Sequence, residues 1–335
     1  GQTSISGFFA RSKSSIIRFQ WKRIIAIQFL IFCLGTAIPL HINSRGNVEV
    51  TDLRASQDSE KILKAWQDAY SSKRKLQKYH SNDDPADTNL LILDAFLFVT
   101  SQLPKQLINK FMRFPYDPNA PCAMLIRGLP TDPSVPPTPR PQTIAHRGHR
   151  TTLCPIAETV LLGCSRLLGT PHCPPPPFNT GLIKDIVPIS TKELDDLPMH
   201  RDFPQQATGH GWEPELLLLF CVRGDPEDTQ AQTVVTDSRL LLKHFPKQDI
   251  DLLQAHKIQM QKKIPGSETA INIGEAFYAI DLHNMVTMFD TPGIFPTCPG
   301  GGHEVVQAYE RLKSKSMAMG KGITLQPGDL LVINN

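Results

Sequence analysis

Runs of apolar residues and their spacing divide the chain into predicted elements. Between Ser56 and Leu76, Ile62, Leu63, Trp66 and Tyr70 fall on one side of a helix. Leu90 to Phe98 and Leu103 to Phe111 are apolar segments separated by Ser101 to Pro104. Ala123 to Pro130 (AMLIRGLP) is a short apolar strand stopped by Gly and Pro. Residues 130 to 143 hold six prolines, which lack the backbone donor of a central strand, so this stretch reads as an irregular extended loop. Ile156 to Leu168 is helical again, and Pro174 to Pro177 interrupt it. Gly181 to Ile189 reads as a strand. Leu216 to Val222 (LLLLFCV) is the most apolar strand, Thr233 to Thr236 is a further short one, and Asp237 to Phe245 is helical. Glu304 to Met319 has clear amphipathic spacing behind Gly300 to Gly302, and Ile323 to Asn335 reads as a turn leading into a strand. Strands outnumber helices in the second half without a βαβ rhythm, which favours a β-sandwich or barrel with helical additions over a doubly wound sheet.

The N-terminal stretch stands apart from this pattern. Arg11, Lys13, Arg18, Lys22 and Arg23 precede an almost wholly apolar run from Ile24 to Leu40, the order found in a signal peptide or signal anchor. The run is short for a span, which needs roughly 20 residues. A buried helix, or sequence foreign to the mature protein, fits it as well. The expected organisation is therefore a basic and apolar segment over residues 1–47 and one globular domain over 48–335. A chain starting at Gly1 with its first methionine at Met112 also reads as lacking its true start.

Composition narrows the classes. The 335 residues are 40% apolar and 20% charged, which excludes disorder as the main state. A net charge of only +3 leaves no excess for sequence-blind binding to a nucleic-acid backbone or an anionic bilayer. Nucleic acid is set aside as a partner. Seven cysteines without any CxxC pair read as buried small hydrophobes in a reducing compartment, so a cytoplasmic location is expected, with membrane anchoring through residues 24–40 as the alternative.

Most catalytic templates are missing. No GxGxxG follows a strand, and neither GxxxxGK nor GxSxG occurs. His146 and His149 lie in the Pro-rich region, where a shared metal would need a helix that Pro141 and Gly148 oppose. His172 with Cys173, His210 and His303 have no evident partner. His200 and Asp202 differ from these: if 198–202 is extended, both point to one face, with Arg201 on the other. An imidazole and a carboxylate on one face are two corners of a 2-His-1-carboxylate triad for Fe(II). An incidental histidine beside a solvated aspartate fits those three residues equally simply.

The surrounding sequence resembles the clavaminate synthase-like branch of the taurine dioxygenase superfamily, the Fe(II)/2-oxoglutarate oxygenases that include those acting on free L-arginine and L-asparagine. The matching pieces come in order: MLIRGLP (124–130) with PPTP (136–139), LLGTP (167–171), GLIKDIVP (181–188), LPMHRD (197–202), PELLLLFCVRGD (214–225), Ala231-Gln-Thr233, and LQPGDLLVINN (325–335). Together they cover roughly residues 90 to 335. The resemblance implies a double-stranded β-helix (jelly roll) with flanking helices, mainly β with α additions. It implies that His200 and Asp202 ligate iron and that Thr233 contacts the 2-oxoglutarate carboxylate, although a β-branched strand residue is the plain reading of Thr233. It implies a dioxygenase that consumes O2 and 2-oxoglutarate, releases succinate and hydroxylates an unactivated C–H of a free amino acid or similar small substrate.

Two departures qualify the match. Asp202 stands where amino-acid-hydroxylating relatives often have glutamate, and the stretch between Asp202 and Pro214 is longer than the family's pattern. In the family a His-Gly-Arg-like motif, and then an arginine for the far carboxylate of 2-oxoglutarate, follow the PGDLL strand. This sequence stops at Asn335, before both. The expectation is thus an oxygenase recorded incompletely and inactive in this form, with a non-catalytic jelly-roll binding protein as the alternative.

Overall fold

The computed structural model of the chain describes residues 41–45, 48–55, 64, 66, 68, 85–135, 154–171, 182–183, 214–224, 231–256, 258–263, 270–275, 294–298 and 302–335. The chain divides into Gly1–Pro39 and Leu40–Asn335, and every described residue lies in the second unit. The basic and apolar segment of 11–40, most of the helix expected over 56–76, the Pro-rich residues 136–143, His146, His149, His172, Cys173, His200, Asp202 and His210 lie outside the described residues.

The centre is a five-stranded sheet in the order β1-β2-β3-β10-β4, made of β1 (His41–Arg45), β2 (Val48–Asp52), β3 (Ala123–Arg127), β4 (Leu216–Phe220) and β10 (Leu330–Asn334). β2 runs parallel to β3, with Val48 opposite Ala123, and the other pairings are antiparallel. β3 and β10 are continuous apolar runs because both of their faces are covered. Alternation sends Met124, Ile126, Leu330 and Val332 to one side and Ala123, Leu125 and Leu331 to the other. The first set packs under helices α1 (Pro85–Gln102), α2 (Lys105–Arg113) and α3 (Pro155–Leu168). Trp66, buried in this layer, meets Phe98 edge-on at 4.7 Å between ring centroids.

The helices carry their own reasons for standing where they do. α2 buries Leu107 and Phe111, one turn apart, and leaves Lys105, Gln106 and Asn109 outside. α3 starts at Pro155, which has no N–H to satisfy. Its next two donors, the N–H groups of Ile156 and Ala157, are both accepted by the Asp132 carboxylate at 3.0 Å, so a residue far upstream caps this helix. α1 and α3 touch closely at Gly163, where a Cβ would fall 2.6 Å from the Ala95 carbonyl oxygen and also strike Val99.

The opposite face of the sheet is covered by a two-stranded antiparallel ladder, β5 (Thr233–Val235) with β9 (Lys321–Ile323). Val235 and Ile323 pack against Val48, Leu125 and Leu331. A three-stranded antiparallel sheet in the order β7-β6-β8 is formed by β6 (Gln259–Lys263), β7 (Ala270–Glu275) and β8 (Ile294–Thr297). Helices α4 (Ser238–Lys243), α5 (Lys247–Ala255) and α6 (His303–Met319) share a second core of Leu241, Leu253, Val305, Tyr309 and Leu312.

Two expectations change, and one expected strand is less covered than its composition suggests. More of the described residues lie in helices than in strands, so the architecture is mixed rather than mainly β. Leu216 to Phe220 is half-buried along its whole length, because among the described strands it pairs with β10 alone. Leu182 and Ile183, read as part of a strand, sit in a bend and pack beside Leu91, Ile92, Ala95 and Leu162; the remainder of 181–189 lies outside the described residues.

Candidate functional site

Thr233, the expected 2-oxoglutarate contact, opens β5. It lies two residues before the buried Val235 and opposite Ile323, so it shares their inward face, toward the space between the ladder and the central sheet. It is half-buried. Its hydroxyl is thus a polar group at the margin of an apolar interior, a setting in which a single hydrogen bond orients a ligand. The placement fits the expected contact and equally allows a β-branched strand residue, so the role of Thr233 is taken up as a proposal.

β9 is joined to β10 by a tight turn over Gln326, Pro327, Gly328 and Asp329. The Asp329 N–H donates to the Gln326 carbonyl at 2.9 Å, and Gly328 has φ +84°, the signature of a type II turn with Pro at the second position and Gly at the third. A side chain at Gly328 would collide with the Leu129 carbonyl. The turn is stitched to both neighbouring strands: Leu129 N–H donates to Gly328 O, Gly328 N–H to Cys221 O, and Cys221 N–H to Asp329 O, each at 2.9 Å. The ends of MLIRGLP, PELLLLFCVRGD and LQPGDLLVINN therefore meet at one corner.

A charged network occupies this corner. The Asp329 side chain has no solvent exposure. Its Oδ2 accepts from the Gln326 N–H at 2.9 Å and lies 3.2 Å from Arg127 Nη1, whereas its buried Oδ1 has no hydrogen-bond partner. Arg127 Nη2 also donates to the Thr324 carbonyl at 3.3 Å. Arg54 donates to Gln326 Oε1 at 2.7 Å and pairs with Asp52. Burial pushes the Asp329 carboxyl above the usual range, against the opposing pull of the Gln326 N–H and of Arg127. Asp52 is held below it, chiefly by its hydrogen bond from Arg54. Sequence reasoning did not find this network. The one signal was Arg127 itself, a guanidinium at the end of an otherwise apolar strand, which must find a partner.

The thiols behave as expected of small hydrophobes. Burial pushes Cys122 up to about 12 and Cys221 up to about 11, and Cys164 is also raised by burial. At neutral pH these groups are protonated and are neither nucleophiles nor thiolate ligands. None of Cys122, Cys154, Cys164, Cys221 and Cys298 is in a disulfide.

Two expected site residues, His200 and Asp202, lie outside the described residues. His303 is the exposed first residue of α6. Among the described residues, no group of three or more His, Cys, Asp or Glu side chains could hold a metal ion, and no helix is long and apolar enough to cross a membrane.

No protein-family model matches the chain, and no curated protein matches it in sequence. Solved structures do match it in three dimensions. A crystal structure of asparagine oxygenase in complex with Fe(II), (2S,3S)-3-hydroxyasparagine and succinate aligns over 85% of this chain and 84% of that one, with TM-score 0.62 and 21% identity. The non-haem iron oxygenase OrfP, in complex with Fe and L-homoarginine, aligns over 85% of each chain with TM-score 0.58 and 19% identity. This chain has the fold of a non-haem iron oxygenase.

Proposed function

We propose that the protein is an Fe(II)/2-oxoglutarate-dependent dioxygenase that hydroxylates an unactivated C–H of a free amino acid or a similar small substrate. The observation that carries this reading is the agreement of two likenesses. The ordered motifs from 124 to 335, His200-Arg-Asp202 among them, resemble amino-acid oxygenases, and the fold matches oxygenases whose structures hold iron, succinate and hydroxylated amino acids. Residues 48–335 are read as one oxygenase domain with a double-stranded β-helix at its centre.

The donor chemistry suits the metal. A neutral imidazole from His200 and a carboxylate from Asp202 are ligands that Fe(II) accepts, and at two residues apart they would share one side if that stretch is extended. Bound Fe(II) with 2-oxoglutarate and O2 supplies the oxidising power, with succinate and CO2 as by-products. The protein's own groups bind and aim. His200 and Asp202 would hold the ion, the Thr233 hydroxyl would donate to a carboxylate of 2-oxoglutarate, and the packed core of Val235, Ile323 and Leu331 beside Thr233 would shield that side from bulk water.

Anaerobic addition of Fe(II) and 2-oxoglutarate, followed by the weak visible metal-to-ligand absorption band, tests the reading. The band is expected to form, to be lost in His200→Ala and Asp202→Ala, and to be followed by succinate release when O2 and a panel of L-amino acids are added. Because the 335-residue form is expected to be inactive, the assay is run on a form that carries the distal histidine expected after Asn335, and a folded protein of that kind giving neither band nor succinate removes the proposal.

A further inference from the structure

We infer that Arg127 is a positioning residue: by holding the Thr324 carbonyl it fixes the end of β9, and through β9 it sets where Thr233 stands on the interior face. This rests on Thr233 being the 2-oxoglutarate contact proposed for the site.

The ladder that carries Thr233 is small. β5 and β9 share three registered pairs, Thr233 with Ile323, Val234 with Gly322 and Val235 with Lys321, and among the described residues neither strand has another strand partner. A two-stranded ribbon of that length is marginal by itself. Val235 and Ile323 anchor it against the central sheet by non-directional apolar contact. The Thr236 hydroxyl, just past β5, donates to the Ser316 carbonyl at 2.9 Å, which ties β5 to α6 but leaves the end of β9 to be tied to the central sheet by Arg127. Thr324 follows Ile323 directly, and its carbonyl accepts from Arg127 Nη2 at 3.3 Å. That bond is directional and joins the ladder to β3, a strand buried on both faces.

The guanidinium is in turn pinned. Its Nη1 lies 3.2 Å from Oδ2 of the fully buried Asp329, whose main-chain carbonyl is tied to Cys221. Arg127 thus spans two anchors with two nitrogens, one on the β9–β10 turn and one just past β9. The planar fork of arginine serves the two acceptors with two separate nitrogens, whereas lysine would have to reach both from one shorter-stemmed ammonium.

Amide hydrogen exchange on the intact chain tests the role. Two variants are compared with the native protein: Arg127→Lys, and the double variant Arg127→Gln with Asp329→Asn, which leaves no unpaired charge buried. Amides of 233–235 and 321–323 are expected to exchange at least about tenfold faster in both variants, while those of 124–126 and 330–333 stay within about twofold of native. Unchanged exchange in the ladder, or an equal loss of protection in β3 and β10, overturns the inference. In parallel, 2-oxoglutarate affinity is measured with Mn(II) in place of Fe(II). It should fall in both variants at unchanged Mn(II) affinity. If Thr233→Val binds 2-oxoglutarate as tightly as native, the reading of Thr233 fails, and the exchange data still decide whether Arg127 fixes the ladder.

Discussion

Arg127 Nη1 lies 3.2 Å from Asp329 Oδ2, and the aspartate side chain is wholly shielded from water while the arginine keeps about a fifth of its surface exposed. A buried carboxylate needs such a partner, and removing the partner alone is more damaging than removing both charges. Arg127→Met should therefore cost about 3–5 kcal/mol, and Asp329→Asn distinctly less, since its amide still accepts from the Gln326 N–H. Urea unfolding measures both, and equal costs would contradict the pairing.

The same pair sets a pH dependence. The folded-state pKa of Asp329 is raised from the usual 3.8, mainly by burial. A raised acid favours folding fully below its unfolded pKa and loses that contribution as pH climbs through the folded value. Asparagine has no such dependence. The deficit of Asp329→Asn relative to native should be greatest in acid and shrink as pH rises toward neutrality. A deficit that grows with pH would mean that ion pairing, rather than desolvation, dominates the site.

Asp132 accepts from two N–H groups at the start of α3 although it belongs to the loop after β3. Asp132→Ala leaves both donors without a partner at the positive end of the helix and should cost about 2 kcal/mol. Asp132→Asn should recover part of this, because one oxygen still accepts. Thermal unfolding of the two variants checks the order, and equal melting temperatures for both and for native would show that solvent satisfies the helix end.

Gly163 lets α1 and α3 approach until the Ala95 carbonyl and Val99 fill the space of a side chain. Alanine is a better helix former than glycine by about 1 kcal/mol, so propensity alone makes Gly163→Ala stabilising. Overpacking against backbone costs about 1–3 kcal/mol and should reverse that sign. A net loss in urea unfolding is expected, and a gain would mean that the two helices separate freely.

Legibility in the sequence followed burial. β3 and β10 were readable because strands covered on both faces become unbroken apolar runs, and α6 because one buried face of Val305, Tyr309 and Leu312 alternates with charge. α1 was legible only as an apolar segment. Leu90, Leu93 and Leu97 are exposed on the side away from the core, so the helical period is blurred. LLLLF in β4 was legible as a strand, but apolar composition does not reveal how many neighbours a strand has, and β4 is only half-buried. The Arg127–Asp329 corner was missed for a different reason: its two residues are far apart in sequence, so that although Arg127 at the end of an apolar strand calls for a partner, nothing in the sequence says which. His200 and Asp202 could be singled out from alternation, but only the resemblance makes them a proposed metal site.

The Thr233 hydroxyl connects this fold to the proposed chemistry, and its replacement separates two roles that a strand residue can have. Thr233→Val keeps the β-branched shape facing Ile323 and removes only the oxygen. A hydrogen bond to a charged group contributes about 1.5–3 kcal/mol, so 2-oxoglutarate affinity should fall by about tenfold or more. Metal affinity and unfolding free energy should stay near native, because Thr233 is only half-buried and neither ligates the ion nor fills the core. Calorimetric titration with 2-oxoglutarate in the presence of Mn(II) reads the first, and urea unfolding the second. Unchanged affinity with reduced stability would assign Thr233 to the strand alone and leave the cosubstrate carboxylate to another group.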